Sequence, residues 1–312
     1  MFALREIALS LSCFVLLYGL LSAWVVTAWH PLESLRVAQR SVAGILFGLR
    51  VFPLMVSVVV TSALVVPSFQ LLEPRSIKGG LRATPLALGI CALMLIVFSC
   101  LRVVVSQART TRVATHWLDG ARPLTAASDS ADAFRARGEI PPLTLVGVCH
   151  PRVLVSESTI DLLSENELRI ALKHELQHMK SYDNLKKLIF RCCPFPGMAK
   201  LESAWSQSAE LAADDAAVSD QSEAIDLAAA LIKLSRLVPV EGAPVHTMNF
   251  VAGSLSLRVA RLLTWDESSK SRRVRIRTWF VLPFAVAGSL LVTIAYSPVL
   301  GVTRELTAWL VR

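Results

Sequence analysis

Long apolar blocks alternate with a single long mixed segment, and this division governs how the rest of the chain is read. Ile7 to Trp29 carries no charge and is long enough to cross a bilayer as a helix. A second block runs from Val42 to Leu72, interrupted by Arg50 and carrying Pro53 and Pro67. A third starts at Thr84, with Arg102 ending its uninterrupted part, and a fourth covers Thr278 to Thr303. The pattern predicts four transmembrane helices, at about 7–29, 42–72, 84–105 and 278–303. The flank before the first is poorly basic and no small-x-small cleavage site ends it, so it reads as an uncleaved span rather than a signal peptide. Arg50 is expected at the interface with its head snorkelling to water. The two prolines permit kinks where neighbouring helices cover the freed carbonyls.

Between the third and fourth blocks the pattern changes. Gln107 to Glu139 is mixed and polar, with a loop-like stretch at 126–133. Leu143 to Val148 and Arg152 to Val155 are short β-branched runs on either side of Cys149-His150-Pro151, which predicts two strands and a turn. Ser158 to Leu163 leads into a strong helical period. Leu168, Ala171, Leu172, Leu176 and Met179 form its apolar stripe, and Ser164 followed by Glu167 reads as a capping box. Leu185 to Phe190 continues helically until Pro194 and Pro196 break it, and further helices are predicted over 200–218, 223–237 and 252–263. The expected fold is a multi-pass α-helical membrane protein with an α+β, mainly helical domain. Residues 1–105 hold the first three spans, 106–276 the inserted domain, and 277–312 the fourth span and a short tail.

Composition sharpens this picture. A hydrophobic content of 54% and a mean hydropathy of +0.53 are too high for an ordinary soluble protein of 312 residues. The net charge of +8 lies in membrane flanks and loops. The mixed segment is close to balanced, which argues against nucleic-acid binding. Lys270, Arg272, Arg273, Arg275 and Arg277 precede the fourth span, and Arg102, Arg109 and Arg112 follow the third. The positive-inside rule therefore places the inserted domain in the cytoplasm of a multi-pass cell-membrane protein, against the lesser vote of Arg75, Lys78 and Arg82. Six cysteines show neither a disulfide framework nor C-x-x-C, which suits a reducing compartment.

The candidate chemistry sits in the capped helix. His174-Glu175-Leu176-Gln177-His178 is an H-E-x-x-H, and on a helix positions i and i+4 share a face, so both imidazoles reach one metal ion. Glu175 is placed to take a proton from an activated water and return it to a leaving amine. A catalytic zinc wants a third protein ligand and an open position. Glu210 is the best candidate, with Asp214 at i+4 on the same alanine-rich helix accepting the second ring N–H of a histidine. Asp215 is a fallback for that orienting role, and His150 and His246 are rival third ligands. Asp183, five residues past His178, either holds the helix end or reaches a ligand. The reaction expected is peptide-bond hydrolysis with one Zn2+ per chain. The substrate is expected to lie extended along an edge strand formed by Arg152, Val153, Leu154 and Val155.

The runs Pro151 to Ser156, Leu163 to Leu168 and His174 to Asp183 resemble the M56 membrane metallopeptidases, the zinc proteases typified by the BlaR/MecR signal transducers. The integral-membrane M48 proteases of the Ste24/HtpX type are the near neighbour, usually with a longer interval between the second histidine and the glutamate. Ser256 to Leu263 is similar to a helix late in the M56 peptidase domain. The resemblance implies a zincin-like (gluzincin) fold, zinc on His174, His178 and Glu210, and Glu175 as the catalytic residue. It also implies regulatory proteolysis, for instance of a cytoplasmic repressor, and a separate sensor protein as a further partner besides the lipid bilayer. Arg304 to Arg312 hold no S-x-x-K, so covalent β-lactam sensing by this chain is not expected. Two other classes compete: a membrane scaffold with a degenerate peptidase domain, and a transporter. Intact His174, Glu175, His178 and Glu210 oppose the first, and the lack of an acidic partner for Arg50 within the spans opposes the second.

Overall fold

A computed structural model describes residues 2–30, 38–72, 83–124, 133–138, 140–148, 150–237, 255–266 and 296–311. Three helices among them are long and apolar enough to cross a membrane: Leu4–Ala28, Gln39–Leu71 and Ala83–Leu118. The first lies within α1 (Phe2–Ala28). The second combines α2 (Gln39–Val60), a π-helical turn (Thr61–Val65) and α3 (Val66–Leu72). Pro67 has no N–H to give the carbonyl four residues back, and the helix widens into the π turn just before it. The third is α4 (Ala83–Leu118), which runs well past the expected end near 105. α1 and α4 cross at Ala8 and Gly89, where a Cβ on the glycine would come within 3.2 Å of Ala8 O. Ser12 Oγ reinforces the crossing from 2.8 Å to Pro85 O. Of the fourth expected span, residues 278–295 lie outside the described residues; the chain from Tyr296 to Val311 is helical.

The inserted domain wraps a small sheet. Its strands are β1 (Arg122–Pro123), β2 (Ala133–Ala136), β3 (Leu143–Val146) and β4 (Arg152–Ser156), in the order β1-β2-β4-β3. β2 and β4 are parallel; the other two pairs are antiparallel. The turn from β3 to β4 needs Gly147, whose φ is +91° and whose Cβ would meet His150 O at 2.7 Å. The order corrects the expectation that Arg152 to Val155 form an edge. β4 is paired on both sides, and Val153, Leu154 and Val155 are completely buried. Such a strand has no free backbone groups to offer a substrate. Arg152 instead stacks its guanidinium over the Phe134 ring.

Helices then follow in close succession: α5 (Glu157–Leu162), α6 (Glu165–Lys180), α7 (Asp183–Arg191), α8 (Ala199–Ala217), α9 (Gln221–Leu237) and, after residues outside the described set, α10 over 255–263. α6 and α9 pack on one sheet face through Leu168, Leu172 and Ala230, and the end of α4 covers the other through Ala114. The expected capping box is present: the Ser164 amide donates to Glu167 Oε2 at 2.8 Å and Ser164 Oγ accepts from the Glu167 amide. Burial by itself raises the Glu167 carboxyl. Hydrogen bonds from Lys233 and the Ser164 amide outweigh it and hold the group below the ordinary carboxylate range. The stability this supplies is fully present above about pH 4.3 and is lost as pH falls through the lowered folded value. Ser164→Ala is expected to cost about 1 kcal/mol at neutral pH, read from denaturant unfolding of the metal-free protein. A cost near zero would mean the cap does not hold α6.

The domain is not merely tethered to the membrane helices. Val25 of α1, Trp29 just after it, Val42 and Leu46 of α2, Phe190 of α7, Met198, and Leu201, Trp205 and Ala209 of α8 make one continuous core. Arg50 lies inside this junction at 3% exposure and does not snorkel. Its Nε and Nη2 donate to Glu202 Oε1 at 2.9 and 2.7 Å, and Nη2 also reaches Phe190 O at 3.3 Å. The acidic partner missing from the spans comes from α8. Without it, a guanidinium this deeply buried would leave its charge uncompensated.

Candidate metal centre

The site grows out of the meeting of α6 with α8. One helical turn separates His174 and His178 on the face of α6 that looks at α8. α8 is rich in alanine there, with Ala209 and Ala213 buried, and small side chains let the two helices approach closely. The result brings both Nε2 atoms to 3.1 Å from one another. Glu210 completes the group, with Oε2 3.5 Å from His174 Nε2 and Oε1 3.5 Å from His178 Nε2. Both imidazoles are buried, whereas the Glu210 side chain keeps 31% exposure, so the cluster is open on one side.

The second ring nitrogens are held from behind. α6 stops at Lys180, and Tyr182, with φ of 55°, reverses the chain so that α7 starts at Asp183. That reversal returns Asp183 Oδ2 to 2.7 Å from His178 Nδ1, and Lys186 Nζ fixes the other carboxylate oxygen at 3.0 Å. Asp214 Oδ1 stands 3.0 Å from His174 Nδ1, but off the direction of the ring N–H, so this is a charge contact rather than an aligned hydrogen bond. With Nδ1 of each ring turned to a carboxylate, the neutral ring carries its proton on Nδ1 and its lone pair on Nε2.

Two lone pairs facing each other at 3.1 Å repel unless a proton or a cation lies between them. The carboxylates supply the matching field. Burial lowers the His178 pKa, yet the hydrogen bonds with Asp183 and Glu210 raise it to about 10. Burial lowers His174 as well, and the Asp214 and Glu210 carboxylates beside it raise it above the ordinary value. Burial would raise Glu210; its bonds with the two histidines hold it well below the ordinary range. The pocket is built to hold positive charge. Zinc with nitrogen at about 2.0–2.1 Å in a tetrahedron sets neighbouring ligand atoms roughly 3.3 Å apart. The separations of 3.1 and 3.5 Å, the latter made by a different Glu210 oxygen for each ring, lie on either side of that spacing, and one ligand atom from each residue lies within 4.8 Å of the others, so the residues fit such an ion. Among the described residues they are the group able to hold such an ion.

A family model described as BlaR1 peptidase M56 matches residues 86–262, more than half of the chain. The chain belongs to the M56 peptidases. Curated proteins and solved structures returned no match. The M56 match runs from within α4 through the sheet and α5 to α9 into α10, so it includes every residue of the cluster. Together with the three long apolar helices, it makes this a membrane-associated M56 peptidase.

Other candidates fall away from the M56 centre. His150 is exposed in the turn before β4 and is not part of the cluster, and His246 lies outside the described residues. Asp215 faces the other way and pairs with Arg261, both oxygens at 2.7 Å. Glu175 is half-buried beside the histidines and makes no hydrogen bond or ion pair among the described residues. Sequence reasoning assigned no role to Arg258 of α10. Its Nε and Nη2 donate to the two oxygens of Asp214 at 2.8 and 2.7 Å, and its Nη1 donates to Glu210 Oε2 at 2.8 Å. One guanidinium therefore clamps a metal-ligand candidate and the carboxylate behind His174. Asn184 was also missed. Its Nδ2 donates to Leu145 O and Gly147 O, both at 3.0 Å, tying the outer edge of β3 to the start of α7.

Proposed function

We propose that this chain is an integral-membrane zinc endopeptidase, with His174, His178 and Glu210 as metal ligands and Glu175 as the catalytic acid–base. The observation that carries this reading is the pair of imidazole Nε2 atoms facing one another at 3.1 Å beside the Glu210 carboxylate. When bound there, zinc supplies an acidified water and polarises the carbonyl under attack. Glu175 stands next to the first ligand, with no partner among the described residues to hold its carboxylate elsewhere, and shuttles the proton from water to the leaving amine. Asp183 and Asp214 keep the imidazoles turned with Nε2 inward, and Arg258 holds Glu210 and Asp214 in register. The exposed flank of Glu210 is the side from which substrate enters.

Of the two edge strands, β3 packs on α6, and an extended substrate pairs there rather than at β4. Asn184 already occupies the carbonyls of Leu145 and Gly147, which leaves the Leu143 end for the substrate backbone. In the layout we propose, residues 1–105 hold three spans, 106–276 the cytoplasmic peptidase domain and 277–312 a fourth span and tail. The basic residues around the inserted domain support this orientation. The role we propose is regulatory proteolysis of a protein substrate, such as a cytoplasmic repressor, with a separate sensor protein supplying the signal.

Elemental analysis of the detergent-purified full chain tests the metal. Wild type is expected to hold about one zinc per chain, and Glu210→Ala to lose it. Asp183→Asn, which removes the negative charge behind His178, is expected to weaken zinc affinity roughly 10–100-fold. Zinc retained in full by Glu210→Ala would unseat that ligand, and a wild type that takes up no zinc would sink the reading.

A further inference from the structure

A second site lies where the membrane helices meet the peptidase domain. A cavity of about 400 Å³ opens there, walled by α2, α4, α7 and α8. Four cations line it, Arg50, Arg102, Lys187 and Arg191, against the single carboxylate of Glu202. Arg50 is committed to Glu202 through Nε and Nη2. Arg102, Lys187 and Arg191 have no carboxylate partner among the described residues; Arg102 touches only the Phe98 ring, at 5.5 Å. Trp205 also lines the cavity with its ring, while its indole N–H is sealed among protein atoms and has no acceptor among the described residues. Three exposed cations without a carboxylate partner among the described residues, gathered at one cavity, describe a place for an anion with several oxygens.

Its position says which anion. Arg50 and Arg102 each stand directly at the end of an apolar run, Val51 to Leu72 and Thr84 to Leu101, so the cavity sits at headgroup level. Next to it, between α1, α2 and α4, lies an apolar cavity of about 740 Å³ lined by residues such as Phe14, Leu54 and Leu95. The two adjoin through neighbours in the chain: Cys100 and Cys192 face the apolar cavity, Arg102 and Arg191 the basic one. An apolar slot ending in a cluster of cations matches an amphiphile with an anionic head.

We propose that this junction binds one anionic phospholipid, its phosphate among Arg102, Lys187 and Arg191, and an acyl chain in the apolar cavity. The bound lipid then fastens α7 and α8 to the membrane helices on the flank beside the Arg50–Glu202 pair. Nothing in this depends on peptide hydrolysis.

The test titrates full-length protein in detergent with phosphatidylglycerol or phosphatidylcholine of the same acyl length and counts bound lipid by native mass spectrometry. Phosphatidylglycerol is expected to bind at least about tenfold more tightly, with one molecule per chain. Arg102→Gln/Lys187→Gln/Arg191→Gln is expected to abolish that preference, and Arg191→Gln alone to reduce it. The control Arg135→Gln/Arg137→Gln removes two exposed cations that touch Glu157 and is expected to keep it. Equal binding of the two lipids by wild type, or a preference that survives the triple variant, overturns the proposal. Inorganic phosphate is the competing arm. If it binds as tightly as phosphatidylglycerol and with the same sensitivity to the variants, the site belongs to free phosphate and the lipid is refuted.

Discussion

Glu175→Ala is expected to leave a folded, zinc-loaded protein whose peptide hydrolysis falls by roughly 10²–10⁴-fold. The size follows from what a positioned acid–base contributes to proton transfer in the transition state. The preserved fold follows from the structure. Glu175 is half-buried, and no described residue depends on it for a hydrogen bond or an ion pair, so its removal orphans nothing. The loss should fall on kcat with KM little changed, because the carboxylate acts on the reacting proton rather than on substrate binding. Zinc content measured on the same sample separates lost chemistry from lost metal. A variant that keeps its zinc and retains activity within tenfold of wild type would remove Glu175 from the mechanism.

The second large effect is expected at Arg258. Its side chain is 12% exposed and bridges Asp214, itself 4% exposed, to Glu210. Burial lowers an arginine's affinity for its proton, but the two carboxylates more than restore it, so the guanidinium is firmly charged. Arg258→Gln takes that charge away and leaves the Asp214 carboxylate facing only His174 in a buried setting. Breaking one side of a buried ion pair costs about 3–5 kcal/mol, and unfolding of the metal-free protein in denaturant is the direct measurement. Arg258→Lys keeps the charge but not the fork that meets both Asp214 oxygens, and should lie between the two. A Gln variant as stable as wild type would show that α10 is not fastened through this residue.

Much of the candidate metal centre is legible in the sequence because its components are local. The H-E-x-x-H lies within one helix, and Ser164 and Glu167 announce where that helix begins. Glu210 and Asp214 are one turn apart on a second helix. The strand runs at 143–148 and 152–155 are also legible, but the place of β4 in the sheet differs from the expected edge. Val153, Leu154 and Val155 form an unbroken apolar run, the pattern of a strand buried on both faces, and that pattern points to the interior of a sheet rather than its edge. β2 was missed because Ala133 to Ala136 is only four residues long and owes its strand form to pairing with β4. Asp183 was ambiguous for a different reason. Its return to His178 depends on a left-handed Tyr182, and tyrosine gives no sign of that conformation. Arg258 and Arg50 were out of reach in another sense. Their partners lie 44 and 152 residues away, and no periodicity links them.

The core shared by α8, α1 and α2 decides how this protein can be handled as a reagent. A fragment trimmed to begin after α4 would keep Phe190, Met198, Leu201, Trp205 and Ala209 while discarding Val25, Trp29, Val42 and Leu46, against which they pack. Half of a hydrophobic core would then face water, a surface prone to aggregation. Glu202 would lose Arg50 in the same cut, and the helix presenting Glu210 would lose its seat. A soluble truncation is therefore the wrong starting material for enzymology, and inactivity in such a fragment would say nothing about the intact chain. The smallest unit worth assaying contains α1 and α2 and is kept in detergent or lipid throughout.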